Sequence, residues 1–234
     1  MDIFMLIALT IGPGIAIAMY IYMRDRFDKE PRKLLLKCFL WGGFSIIPAI
    51  IIESAAFQFI VPIQNDLLFL LLYTFVVIAL TEELCKYYFI RRTAYNEKSF
   101  DEPFDGIVYS VMVGMGFATF ENIKYVVEGG FEVAILRMFM AIPAHAVFGI
   151  MMGYFIGKAR FASGKDRRAF LFSGILIATM LHGAYDFFLM YEAYPALWLA
   201  AIAVVLLGVQ MSSQAIRLHM KNSPFNKSKY LKSK

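Results

Sequence analysis

The sequence predicts an all-α, polytopic integral membrane protein, built as a bundle of about seven transmembrane helices. Sixty per cent of its 234 residues are hydrophobic and its mean hydropathy is +0.63, which is too apolar for a soluble domain. Its apolar runs are each near the ~20 residues that a helix needs to cross a hydrocarbon core about 30 Å thick. A lipid bilayer is therefore the expected surroundings of most of the chain.

Seven apolar segments each predict one helix: 3–23, 34–60, 67–90, 104–127, 131–157, 169–190 and 194–213. The first, third and fifth connections are rich in Lys and Arg, whereas the second, fourth and sixth contain neither. By the positive-inside rule this alternation places the N-terminus outside and the C-terminus in the cytoplasm. It also explains the net charge of +5, so no nucleic-acid partner is expected.

The chain is expected to form a single transmembrane domain over residues 1–221. Residues 222–234 are rich in Lys and Ser, and we expect them to form a basic, disordered cytoplasmic tail. His219, beside this basic stretch, is expected to be solvated.

Small residues recur every four positions along three of the predicted helices. They are Gly106, Ser110, Gly114 and Ala118 in the fourth, Gly149, Gly153 and Gly157 in the fifth, and Gly174 and Ala178 in the sixth. Such stripes let helix backbones approach closely in lipid. Because each stripe also leads to an ionisable side chain, these helices are expected to turn carboxylates and imidazoles inward.

Three ionisable side chains, Glu82, Glu83 and Lys86, interrupt the third apolar segment. A charge at membrane depth is costly and indicates a functional site by default. The two carboxylates lie about 100° apart around a helix, so both can border one cavity. In a low dielectric they do not ionise together easily, which suits a general acid or base. A purely structural Glu–Lys pair is the alternative, since Lys86 follows at helical spacing.

Five further polar residues lie inside predicted spans: Glu121, Asn122, His145, His182 and Asp186. Pro143 is expected to kink the fifth helix near His145. Asp186 follows His182 by four residues and could orient its imidazole. An interhelical hydrogen-bond clamp at Glu121 and Asn122, or a packing histidine at 145, is the structural alternative.

The inventory of polar residues points to one kind of chemistry. The H-E-x-x-H, Gly-x-Ser-Gly and Gly-x-Gly-Asp signatures of other intramembrane proteases are absent from the sequence. The predicted spans contain several Glu and two His, and no Ser or Cys is obviously placed as a nucleophile. This set favours a mechanism in which a Glu activates a water molecule that attacks a carbonyl. A His would then stabilise the developing oxyanion.

Together these motifs resemble the PrsW family of intramembrane proteases, within the wider CAAX-protease and bacteriocin-processing group. The resemblance rests on residues 28–31, 82–86, 100–109, 120–122, 144–149 and 181–186. The wider group carries a Glu-Glu pair, which matches Glu82 and Glu83, and a His in the next motif, which matches His145. Its His-x-x-x-Asn or His-x-x-x-Asp motif matches His182 and Asp186. The resemblance implies a peptidase of the bacterial plasma membrane. It further implies the site-one cut of a single-span anti-sigma factor, which begins release of an extracytoplasmic-function sigma factor under envelope stress.

We therefore expect an intramembrane endopeptidase with Glu82 as general base. Glu83 and Glu121 would handle charge and protons, and His145 and His182 would serve the oxyanion. Lys86, Asn122 and Asp186 would support them. No cofactor is required by this mechanism, but a metal stays open because the same Glu and His could form a metal site. A proton-coupled transporter and a non-catalytic membrane sensor are the alternatives.

Overall fold

The computed structural model describes residues 3–60, 67–191 and 193–226, which form helices and short connections without a strand. The helices are α1 (Ile3–Arg24), α2 (Arg32–Phe44), α3 (Ile46–Ile60), α4 (Leu67–Leu72), a π-helix (Tyr73–Leu80), α5 (Thr81–Thr93), α6 (Pro103–Phe139), α7 (Ala141–Phe161), α8 (Gly164–Met190), a 3₁₀ turn (Pro195–Leu197) and α9 (Trp198–Asn222). This confirms the predicted all-α architecture.

Six helical stretches in the described ranges are long and apolar enough to cross a membrane. One of them, Pro103–Phe161, has 59 residues, about twice the length of a single crossing. Gly130 interrupts it with a φ of 68°, a left-handed conformation that breaks α6. The multi-pass membrane bundle is thus confirmed, while the count of seven spans and their orientation stay predictions.

α6 is the central element of the bundle, and the predicted stripes of small residues explain its contact with α7. A Cβ added to Gly114 would lie 3.5 Å from the carbonyl oxygen of His145, and one on Gly149 would lie 3.2 Å from that of Ser110. On α8, a Cβ at Gly174 would lie 3.1 Å from the carbonyl oxygen of Met152 in α7. The stripes therefore face neighbouring helices, as predicted.

The connection between α1 and α2 is fixed to the start of α6. The Tyr109 hydroxyl donates to the Glu30 carboxylate, and both side chains are buried. The Asp105 carboxylate accepts from the backbone N–H groups of Asp101 and Glu102 at 2.9 and 2.8 Å. Buried acidic side chains thus anchor the predicted cytoplasmic end of α6.

One local expectation was wrong. His219 is not solvated: α9 continues to Asn222, and the imidazole is 3% exposed, stacked on Tyr154 and hydrogen-bonded to its backbone oxygen at 2.9 Å. The predicted fifth helix is interrupted at Met140, three residues before Pro143, so the expected break near this proline is present. Pro143 itself lies in the first turn of α7, where a missing N–H leaves no hydrogen bond unmade. Of the predicted tail, residues 227–234 lie outside the described ranges.

Candidate active site

The ionisable group of α5 is buried in the bundle. Lys86 Nζ lies 2.7 Å from Glu83 Oε1 and 3.1 Å from Glu82 Oε2, and it stands 4.1 Å from the centre of the Phe117 ring. None of the three charged residues is more than 5% exposed. The predicted Glu–Lys pairing is therefore present, and it involves both carboxylates at once.

A π-helix leads directly into these charges. Tyr73–Leu80 has i→i+5 hydrogen bonding and ends immediately before Thr81, Glu82 and Glu83. Against it packs α8, where a Cβ added to Gly183 would lie 2.5 Å from Phe75. Since π-helical turns are rare and often occur at functional sites, this distortion marks the segment that sets the direction of the carboxylates.

His182 on α8 joins the same group. Its Nδ1 lies 3.0 Å from Glu83 Oε1, and its Nε2 lies 3.3 Å from Asp186 and 3.9 Å from Glu82. The ring stacks on Phe148 with centroids 4.7 Å apart. Asp186 therefore contacts the imidazole that it was expected to orient.

His145 links α5 to α6 through its two ring nitrogens. Lys86 Nζ lies 3.3 Å from Nδ1, and the Glu121 carboxylate lies 3.0 Å from Nε2. An ammonium group can only donate, so Nδ1 is the acceptor and the proton of the ring is assigned to Nε2, which donates to Glu121. Both nitrogens of His145 are thus engaged by protein groups.

Arg137 was not among the residues that the sequence singled out. Beyond the break at Gly130, α6 turns back, so that Arg137 forms an ion pair with Glu121 and donates from Nε to Asn122 Oδ1 at 3.0 Å. Asn122 in turn donates to the Thr10 backbone oxygen at 2.9 Å. Asn122 therefore acts as an interhelical clamp. An Arg inside a predicted span was the signal that could have revealed this partner.

A cavity with a volume of about 820 Å³ opens beside these groups. Its wall contains Glu82, Glu121, His145, His182 and Asp186, together with apolar side chains from α3, α7 and α8. In the described part of the chain Glu82 borders this cavity and Glu83 does not. The structure thus brings the predicted site residues together from four helices, with Glu82 facing the open space.

A second residue that the sequence analysis passed over, Glu53 of α3, also borders the cavity. Its Oε1 is buried without a hydrogen-bond partner. As with Arg137, its position inside a predicted span was the available signal.

Four of these side chains have the composition of a metal site. Glu82, Glu83, His145 and His182 each offer a ligand atom, and these atoms lie within 4.8 Å of one another. Carboxylate oxygens and imidazole nitrogens are the usual ligands of catalytic zinc and related metals. Glu83 Oε2 is buried and has no hydrogen-bond partner, which leaves a donor atom for a cation. The residues therefore fit a divalent metal. Lys86 donates hydrogen bonds to some of the same oxygen and nitrogen atoms.

Comparison with known proteins gives a consistent result. The model of a family described as PrsW family intramembrane metalloprotease matches residues 30–211, which include every residue of the site. Proteins named Protease PrsW are similar to this chain. The one from Geobacillus kaustophilus (strain HTA426) is 37% identical over 187 residues, covering 80% of each chain.

Two further relatives carry the same name. The Bacillus subtilis (strain 168) protein is 36% identical over 186 residues, or 80% of this chain and 83% of its own. The Clostridioides difficile (strain 630) protein is 37% identical over 213 residues, or 88% and 87%. No solved structure matches the chain.

Proposed function

Because this chain belongs to the PrsW family of intramembrane metalloproteases, we propose that it makes the site-one cut in a single-span anti-sigma factor. That cut would begin the release of an extracytoplasmic-function sigma factor under envelope stress, as the motif resemblance implies. The chain is a peptidase of a bacterial membrane. The transporter and sensor alternatives receive no support from relatives that are all named as proteases.

One observation carries the proposal. The donor atoms of Glu82, Glu83, His145 and His182 lie within 4.8 Å of one another, and all of these residues except Glu83 border a cavity inside the helical bundle. We infer that this cavity receives the substrate segment and the attacking water. Water activation needs a base within about 3 Å of the water, and Glu82 is the member of the carboxylate pair that faces this space.

Glu82 is the general base in this mechanism. Its carboxylate accepts a proton from water in the cavity, and the oxygen of that water attacks the peptide carbonyl carbon. The proton then passes to the leaving amine. Lys86 restrains Glu82 through a 3.1 Å contact while it also holds Glu83. Glu83 acts as a positioning residue, because it contacts Lys86 and His182 and does not itself reach the cavity.

Both imidazoles border the cavity, and each could serve the oxyanion after it gives up a carboxylate contact. His182 has Nδ1 3.0 Å from Glu83 and Nε2 3.3 Å from Asp186. His145 has Nε2 3.0 Å from Glu121. A divalent cation held by the Glu and His ligands would supply Lewis-acid polarisation of a carbonyl or water oxygen.

The test is a cleavage assay with purified protein and a candidate anti-sigma factor in detergent. Glu82→Gln should lower kcat/KM by about 100-fold or more, the typical contribution of a general base. Glu128→Gln, which removes an exposed carboxylate two residues before the break of α6 at Gly130, is the matched control and should cleave like the wild type. Protein levels and thermal unfolding would be measured in parallel. Activity that falls only in proportion to the amount of folded protein would favour the structural ion pair.

Metal content supplies a separate measurement. Purified protein should retain about one equivalent of a divalent metal, and His182→Ala should lose it. A wild-type protein that is active after complete removal of metal would contradict the assignment of these ligands.

A further inference from the structure

Glu53 has no part in the site as described above. It lies near the middle of α3, seven residues before the helix ends at Ile60, and it borders the same cavity as Glu82 and His182. Its Oε1 is buried and lacks a hydrogen-bond partner. Among the described residues, no Lys, Arg or His forms an ion pair with it.

The other carboxylates of this region are all paired. Glu82 and Glu83 contact Lys86, Glu121 contacts Arg137 and His145, and Asp186 contacts His182. Each of those pairs joins protein groups to one another. Glu53 therefore differs from them, since in the described part of the chain it brings a carboxyl group to the cavity wall without an ion pair.

An unpaired carboxylate in apolar surroundings is unfavourable. An ionisable group inside a membrane-spanning segment is by default a candidate for a functional site. The walls beside Glu53 are aromatic: Phe57 and Tyr73 also border the cavity, with ring centroids 5.5 Å apart. Aromatic faces pack well against the aliphatic stem of Lys or Arg and attract the charged end.

Building on the proposed protease function, we propose that Glu53 is a substrate-recognition residue that pairs with a Lys or Arg side chain near the cleaved bond. The cavity would thus select substrates by one cationic residue in addition to an apolar segment. Phe57 and Tyr73 would hold the stem of that residue, and Glu53 would accept hydrogen bonds from its charged end.

Lys124 is the rival partner for Glu53. It also borders the cavity, its side chain is exposed, and its Nζ stands 5.3 Å from the centre of the Tyr125 ring. A rotation that paired Lys124 with Glu53 would make Glu53 structural. The two explanations predict opposite effects on stability. Removal of an unpaired charge by Glu53→Gln should maintain or raise the thermal midpoint, whereas breaking an internal pair should lower it.

The experiment uses the single-span substrate of the cleavage assay, with Lys, Gln or Glu placed one position at a time within five residues of the cleaved bond. For the wild type, kcat/KM should be about tenfold higher with Lys than with Gln at one position. Glu53→Gln should reduce this ratio to near one, and Glu53→Lys should favour the Glu substrate. Glu128→Gln, which alters an exposed carboxylate of α6 that does not border the cavity, serves as the control, with the wild-type ratio.

The outcomes separate the two proposals. Cleavage that is indifferent to substrate charge, or a ratio unchanged by Glu53→Gln, would overturn the role of Glu53 and leave the protease function intact. A thermal midpoint lowered equally by Glu53→Gln and Lys124→Gln, without a change in the ratio, would also overturn it. Absence of any cleavage by the wild type would remove the proposed function and this inference together.

Discussion

Replacing Arg137 by Gln should destabilise the protein, because Arg137 ties the returning end of α6 to Glu121 and Asn122. The side chains of Arg137 and Glu121 are 15% and 13% exposed. Breaking a fully buried ion pair costs about 3–5 kcal/mol. Because water partly screens the charges of this pair, we expect a loss of about 2 kcal/mol from it. The hydrogen bond to Asn122 adds about 1 kcal/mol. The expected loss is therefore about 3 kcal/mol.

The assay is a denaturing-detergent titration followed by tryptophan fluorescence. Trp41 stacks on Phe89 and Trp198 borders the cavity, so both should respond to unfolding. Glu121→Gln and the double variant complete a cycle whose coupling energy should be about 2 kcal/mol. A loss below about 0.5 kcal/mol in Arg137→Gln, or additivity of the two single variants, would refute the reasoning.

Three further outcomes are expected. Burial raises the pKa of the Glu30 and Glu102 carboxyls from 4.5 to about 7, so the folded protein holds protons that the unfolded chain has released. The free energy of unfolding should therefore fall as pH rises from about 4.5 to about 7 and then level off, with a flatter profile in Glu30→Gln; an upward slope would contradict this. Gly153→Ala would put a Cβ 2.6 Å from a backbone atom of α6, so it should lower the free energy of unfolding by about 1–3 kcal/mol in the same titration. Gly12→Ala, whose Cβ would have no atom within 4 Å, should leave the free energy of unfolding unchanged. A topology reporter fused at Ser163 should report the cytoplasm, and an outside signal there would overturn the orientation.

Much of the fold could be predicted because hydropathy and small-residue spacing are local properties of the sequence. The segment boundaries were less accurate, since charged first turns such as residues 164–168 extend helices beyond the apolar run. The π-helix before Glu82 carries no hydropathy signal, because every residue in it except Tyr73 and Thr74 is aliphatic or Phe. It packs against α8, and such a tertiary contact cannot be seen in any local pattern.

Most residues of the candidate site could be predicted, because ionisable groups are rare inside apolar segments and are easily recognised there. His145, His182 and both Glu of α5 were found this way. Arg137 and Glu53 carry the same signal, but neither lies in a small-residue stripe or in one of the motifs. The partner of each group could not be predicted, since the pairing of Arg137 with Glu121 depends on the reversal at Gly130.

The contact of Lys86 with both carboxylates of its own helix has a consequence for biosynthesis. His182 follows Lys86 by 96 residues, so at 5–20 residues per second it leaves the ribosome about 5–20 s later. During that interval α5 must enter the bilayer without the imidazoles that later complete the site. Because Lys86 lies within one turn of both Glu82 and Glu83, the nascent helix carries its own counter-ion, and at most one net negative charge has to be tolerated in lipid until α7 and α8 arrive.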